Sequence, residues 1–271
     1  MQQQLLVKLI TDKLIQQQES LSNQFHRQHS GTSTRFFLLD DFLPEAIVLE
    51  TFKNFPCKRT FIYRNTFRER KLTFAKLNDL PNPLIENMTD AFQSPSVIFE
   101  ISKITKIPDL FGDRSLYAGG ISRMDKSHFL NPHIDNSHDA DRLRYRRLNI
   151  LFYVSPNIKG QDGGNFELWN KSVTTPVKIE SKFNRLVVME TTKTSWHSVD
   201  MVKADLCRCC VSNYYFAKSS QTGNHYYHVT SFLGRPEQTF RRIYSRLDNF
   251  LRQFVSSTFK VSRGKKLSRR K

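Results

Sequence analysis

From residue 115 to 217 the chain is cut into short apolar runs, too brief for helices and too regularly punctuated for loops. "LNILFYV", "GGNFELW", "RLVVME", "WHSVDMV" and "DLCRCCVSNYYFA" follow one another, separated by the turn-forming "SPNIKGQDGG" and "TTKTS". Short runs rich in β-branched and aromatic residues, bounded by Gly, Pro, Asn and Ser, read as strands. Repeated strands at this spacing must close on themselves or stack in two layers, so the segment predicts a sandwich or barrel.

Helical patterns flank it. Residues 3 to 28 place Leu6, Ile10, Leu14, Leu21 and Phe25 at helical spacing, which predicts one amphipathic helix packed on the body. Residues 34 to 110 mix short apolar runs ("RFFLLDDFL", "SVIFEIS") with helical stretches such as "LPNPLIENMTDAF", where Pro81 and Pro83 mark a helix start. Near the other end, "PEQTFRRIYSRLDNFLRQFVSSTF" puts Phe240, Ile243, Tyr244, Leu247, Phe250, Leu251 and Phe254 on one helical face, expected to cover the β core from outside. The fold class is therefore α+β. The organisation reads as an N-terminal helix (1–30), an α+β region packing on the core (31–114), the β core (115–217), a covering helix (218–259) and a basic tail (260–271).

Composition limits the function classes. At 271 residues with 22 phenylalanines, the chain can fill one sizeable core, which excludes general disorder. The formal charge of +17 includes seven basic and no acidic side chains in "KVSRGKKLSRRK", residues 260 to 271. Such a run is expected to be solvated, against specific binding to nucleic acid, an anionic membrane surface or an acidic partner. No stretch reaches the length of a membrane span, and "LLVKLI" is a poor secretory signal. Four cysteines, three of them in "CRCC", make no disulfide framework, so the expected location is cytoplasmic.

The chemistry starts from "NPHIDNSH". With eight His and fifteen Asp, composition alone gives roughly 0.4 occurrences of His-x-Asp, so the pair by itself is weak. On an extended strand, however, His133 and Asp135 face the same side and can share one metal. His197 in "TSWHSVDMV" is the candidate third ligand, from another strand. Two histidines and one carboxylate with open positions form the set associated with non-haem Fe(II) oxygenases. Eleven residues further on, Arg208 sits inside an apolar strand, where burial is costly unless an anion meets it. Its planar fork suits a carboxylate, so an inward Arg208 could anchor a dicarboxylic acid.

In order, "PHIDNSH", "RRLNILFYVSPN", "GGNFELW", "WHSV" and "RCCVSNYYF" resemble the successive motifs of the 2-oxoglutarate and Fe(II)-dependent dioxygenases, in the prolyl-4-hydroxylase-like branch. The resemblance covers about residues 115 to 217. It implies a double-stranded β-helix, a jelly-roll variant, with Fe(II) bound by His133, Asp135 and His197. It also implies 2-oxoglutarate as cosubstrate, with Arg208 on its C5 carboxylate and Tyr117 and Asn149 at positions that often touch it. The implied reaction uses O2, releases succinate and carbon dioxide, and hydroxylates a substrate C–H bond. Many prolyl hydroxylases carry lysine where Arg208 stands, and arginine-bearing relatives often have a hydroxyl residue where this chain has Cys210. Retention of Asp135 favours hydroxylation over halogenation. Tyr214, standing where nucleobase demethylases carry a second arginine, disfavours a nucleic-acid substrate.

The expected substrate is a small molecule, a glycan component or a peptidyl side chain. Arg142, Arg144, Arg146 and Arg147 are candidates for an active-site rim that attracts an anionic group. His138, His225 and His228 are not expected to be ligands. Cys207 and Cys209 should face opposite to Cys210 and serve packing. Two other classes compete: a hydroxylase of a macromolecule engaged through the basic tail, and a non-catalytic β-sandwich that kept a metal site.

Overall fold

A computed structural model describes residues 3–113, 115–116 and 119–259. In chain order they form α1 (Gln3–Gln16), α2 (Gln18–His26), β1 (Phe36–Leu39), α3 (Glu45–Lys53), β2 (Ile62–Asn65) and β3 (Glu69–Phe74). Next come α4 (Leu84–Phe92), α5 (Pro95–Thr105), β4 (Phe111–Gly112), β5 (Gly120–Met124), β6 (Phe129–Ile134) and β7 (Tyr145–Tyr153). The remainder is β8 (Phe166–Trp169), β9 (Pro176–Ile179), β10 (Arg185–Glu190), β11 (His197–Val199), β12 (Arg208–Ala217), β13 (Ser231–Phe232) and α6 (Thr239–Phe259). The basic tail and Tyr117 lie outside the described residues.

Every strand pairing is antiparallel, in the order β1-β10-β7-β12-β5-β3-β6-β11-β8-β9. β3 bonds to both β5 and β6, so one continuous sheet curls over into the two leaves of a double-stranded β-helix, the expected jelly-roll core. β1 and β3, from the 31–114 region, enter the sheet itself rather than packing on it.

Alternation along the strands gives the roll two different faces. On β7 and β10, Leu148, Ile150, Phe152, Leu186 and Val188 face a helical layer built from α1, α2, α4 and α5. Their neighbours Tyr153, Val187 and Met189 point into the roll. β12 divides likewise: Cys209, Val211 and Tyr215 pack on the helices, while Cys210 joins the interior. Tyr215 also donates its hydroxyl to the Phe92 carbonyl, fastening α4 to the sheet.

Three helical expectations change. Leu6, Ile10, Leu14, Leu21 and Phe25 are all buried as their spacing requires, but the chain breaks at Gln17, giving two helices that follow the curved sheet rather than one. "SVIFEIS" is part of helix α5, begun by Pro95 in the first turn, not a strand. The third change is an inversion. α6 forms, but much of the face expected to cover the core points outward: Phe240 is 88% and Phe250 69% exposed, while Tyr244 meets Phe67 and Leu251 lines the cavity. Its polar side meets the body instead. Arg242 donates to the Val173 and Ser172 carbonyls, Asn249 bonds both backbone groups of Phe232, Gln253 bonds Tyr227 and Val229, and Asp248 pairs with Arg68.

Candidate active site

His133 and His197 are register partners on the bonded strands β6 and β11, which sets their rings 4.1 Å apart between centroids. Asp135 follows β6 directly. Its carboxylate oxygens lie 3.7 Å from His133 Nε2 and 3.4 Å from His197 Nε2. The three donor atoms fall within 4.8 Å of one another, and among the described residues this is the one such cluster with metal-ligand spacing. Neither His138, His225 nor His228 belongs to it. His138 bonds Ser137 Oγ and His225 bonds the Tyr145 hydroxyl.

Both imidazoles are oriented from behind. His133 Nδ1 lies 3.0 Å from the Asn131 carbonyl and His197 Nδ1 2.9 Å from that of Ser195, so each ring donates there and keeps the Nε2 lone pair for the common point. Phe232 stacks on His133 at an interplanar angle of 15°. Burial, reinforced by the adjacent His197, pushes the His133 pKa down to about 3, leaving the neutral form that ligates. Burial alone would raise the Asp135 carboxyl, but Arg146, with His197, pulls it well below the usual carboxylate range. An ionised carboxylate and two imidazole Nε2 atoms converging on one point fit a divalent transition metal such as Fe(II).

In the sequence Arg146 is one of four closely spaced arginines, and the structure separates the four. Arg146 is buried, with Nη1 3.3 Å from Asp135 Oδ2, Nη2 donating to Asn136 Oδ1, and its guanidinium 4.1 Å above the Tyr214 ring. Arg147 points away, to Glu190 and the Ser219 carbonyl. Arg144 lies on Phe111 and Arg142 on Tyr227 beside α6. The cause is a bulge. Leu148 opposes Tyr215 but Arg146 opposes Phe216, so Arg147 is an extra residue on β7 and the alternation reverses at that point. Of the four, Arg142 lines the cavity described next, while Arg144 and Arg147 do not, which corrects the expectation of a common rim.

The triad opens into a cavity of about 930 Å³ that also contains Asn149, Arg208, Cys210 and Tyr214. Asn149 donates to Asp135 Oδ2 at 2.7 Å. Arg208 is buried on the inward face of β12, its guanidinium 4.7 Å over Tyr153, with Nε donating to Ser181 Oγ and Nη1 directed at Met124 Sδ. No carboxylate is paired with it among the described residues. A buried guanidinium without a counter-ion, opening on the chamber of the metal ligands, fits the distal carboxylate of a dicarboxylic cosubstrate.

Ser181 gave no signal in the sequence. It accepts from Arg208 and donates to the Gly164 carbonyl at 2.6 Å, so the "GG" turn and the arginine are one unit. Gly164 has φ +74°, and a Cβ there would lie 3.1 Å from Arg208 Cδ, which explains the glycine. Cys209 lies on the helix side of β12, with Cys207 just before the strand packed against the same cluster, and Cys210 lies inside the roll, as alternation requires; all four cysteines are free.

Residues 119–216 match the family model of the 2OG-Fe(II) oxygenase superfamily. Over these residues the β core is that of a 2OG-Fe(II) oxygenase, with His133, Asp135 and His197 as its candidate iron ligands. Within the superfamily its fold is prolyl-4-hydroxylase-like. A prolyl 4-hydroxylase from Phytophthora capsici is similar with a TM-score of 0.51 and 15% identity, over 92% of this chain and 77% of that one. A prolyl-4-hydroxylase from Pseudomonas putida is similar with a TM-score of 0.50 and 12% identity, over 75% of this chain and all (100%) of that one. A prolyl hydroxylase from Trichoplax adhaerens, in complex with a peptide of hypoxia inducible factor, matches with a TM-score of 0.49 and 20% identity, over 75% and 92%. No curated protein matches the chain in sequence.

Proposed function

We propose that the chain hydroxylates an unactivated C–H bond of a small molecule, a glycan component or a peptidyl side chain. The observation that carries this reading is the shared chamber: three converging metal donors and an unpaired buried arginine open on one cavity. When bound, Fe(II) and 2-oxoglutarate supply oxygen activation coupled to oxidative decarboxylation. The protein supplies orientation. His133, Asp135 and His197 hold the metal on one side, leaving the cavity side for cosubstrate and oxygen. Arg208, steadied by Ser181, receives the far carboxylate. Asn149, already bonded to Asp135, is placed to meet the near end of the cosubstrate. Arg146 keeps Asp135 ionised.

The substrate is expected to carry an anionic group. Arg64, Arg68, Lys71, Arg142 and Arg252 line the same cavity, against Glu69, Asp135 and Asp139, so the chamber carries net positive charge. A reducing cytoplasmic location suits the four free thiols.

The test is anaerobic addition of Fe(II) and 2-oxoglutarate, followed by substrate screening. Wild type should develop the visible metal-to-cosubstrate charge-transfer band and, aerobically, release succinate and add one oxygen to a component of cell extracts. Asp135→Ala should abolish all three. A wild type with no band overturns the reading.

A further inference from the structure

Cys207 and Cys209 stand two residues apart on the helix side of the sheet, while Arg208 between them points the other way, into the cavity. Cys209 is buried on β12, and Cys207, half-buried, ends the 200–207 loop just before that strand. The Cys209 thiol hydrogen-bonds the sulfur of Cys207. Packing accounts for the apolar surroundings of both residues but makes no use of this contact.

The two thiols are not equivalent. The bond from Cys209, reinforced by the Arg123 guanidinium, pulls the Cys207 thiol below its ordinary pKa, against its partial burial and the nearby Asp125. The same bond, with burial, pushes Cys209 up. A half-buried thiol that ionises readily beside a buried protonated one is the pairing of an attacking and a resolving cysteine.

Two steps along an extended chain set Cα atoms about 6.6 Å apart, near the upper end of the roughly 4.4–6.8 Å that a disulfide spans. Cys207 lies outside the β12 ladder, so it is the end that can move. Closing the bond shortens the backbone across Arg208 and turns the peptide planes on both sides of it. The Arg208 side chain is held by the neutral Ser181 hydroxyl and a weak contact to Met124 Sδ, too little to keep its place against that rotation.

We infer that Cys207 and Cys209 form a reversible disulfide that displaces the cosubstrate anchor Arg208. The oxidant is a hydroperoxide, in the simplest case H2O2. The Cys207 thiolate attacks one peroxide oxygen and becomes a sulfenic acid, and the other oxygen leaves as hydroxide, which takes the proton that Cys207 gave up. The Cys209 thiol then attacks that sulfur, the S–S bond forms, and the sulfenic oxygen leaves as water with the Cys209 proton. Two thiols lose two electrons, and the peroxide is reduced to two waters. The effect on the anchor rests on the reading of Arg208 proposed above, whereas the disulfide does not.

The test is H2O2 treatment of the full chain before iron is added, which avoids iron–peroxide chemistry, then removal of the oxidant and anaerobic titration with Fe(II) and 2-oxoglutarate. Wild type should lose the mass of two hydrogens, and trypsin, which cuts after Arg208, should leave the Cys207 and Cys209 peptides joined until a thiol reductant separates them. Its Kd for 2-oxoglutarate should rise about 10- to 100-fold and recover on reduction. Cys207→Ser, at a half-buried position outside the strand, should bind 2-oxoglutarate as untreated wild type does, before and after peroxide. Cys209→Ala should instead leave a sulfenic acid on Cys207 that dimedone traps. The inference fails if the joined peptides do not form, or if they form and the Kd stays level while Arg208→Met raises it. A level Kd in Arg208→Met as well would overturn the reading of Arg208 instead, with the disulfide still established by its mass.

Discussion

In the proposed reading Arg208 receives the far carboxylate of 2-oxoglutarate, because the side chains it touches, Ser181, Met124 and Tyr153, carry no charge to answer it. Arg208→Met should raise the Kd for 2-oxoglutarate on the order of 100-fold while leaving Fe(II) binding intact, read by anaerobic titration of each. Arg146 acts one step back, through the iron-binding carboxylate. Arg146→Gln leaves Asp135 buried without its counter-charge, so Fe(II) affinity should fall about 10- to 100-fold, measured by metal titration against a competing chelator. The two arginines differ in how visible they are in sequence. Arg208 stands out because regular alternation puts it on the inner face of an apolar strand, and His133, Asp135 and His197 follow from the same period of two. Arg146 hides because the bulge at Arg147 reverses that period, and nothing in "RLRYRRLNI" announces an extra residue.

At the scale of elements, the helical layer is where packing stability concentrates. Ile10 of α1 is fully buried in the cluster that joins the helices to β7 and β10. Ile10→Ala should cost about 2–5 kcal/mol, seen as a lower urea midpoint, without disturbing the charge-transfer band on the other face of the sheet. The apolar positions of α1, α2 and α6 are all legible from spacing. What periodicity cannot give is direction: it says that a helix has an apolar side, not what that side faces. For α1 and α2 the body is the answer. For α6, hydrogen bonds from Asn249 and Gln253 to the backbone at 227–232 outcompete burial of the phenylalanines, and the face turns away.

For the molecule as a whole, paired carboxylates tie distant segments together. Asp40, after β1, is held below its usual pKa by its hydrogen bonds to Arg185 on β10. Burial works against Asp125, but Arg123 and Lys58 bring it down as well. A carboxylate whose folded pKa lies below its unfolded value contributes stability that is complete above the unfolded pKa, about 4, and disappears as pH falls through the folded value. The urea midpoint should therefore stay level from neutral pH to about 5 and drop below about 4. Asp40→Asn should flatten part of that drop.

The facing of His133 and His197 across β6 and β11 has a last consequence. Their separation is set by inter-strand hydrogen bonds that the whole roll enforces, and Asp135 sits one residue past the end of the same strand. The entropic cost of assembling the three donors is thus met during folding, before any ion arrives. Metal capture becomes insertion into a ready-made template, and the ion can leave and return without the chain passing through a partly unfolded form.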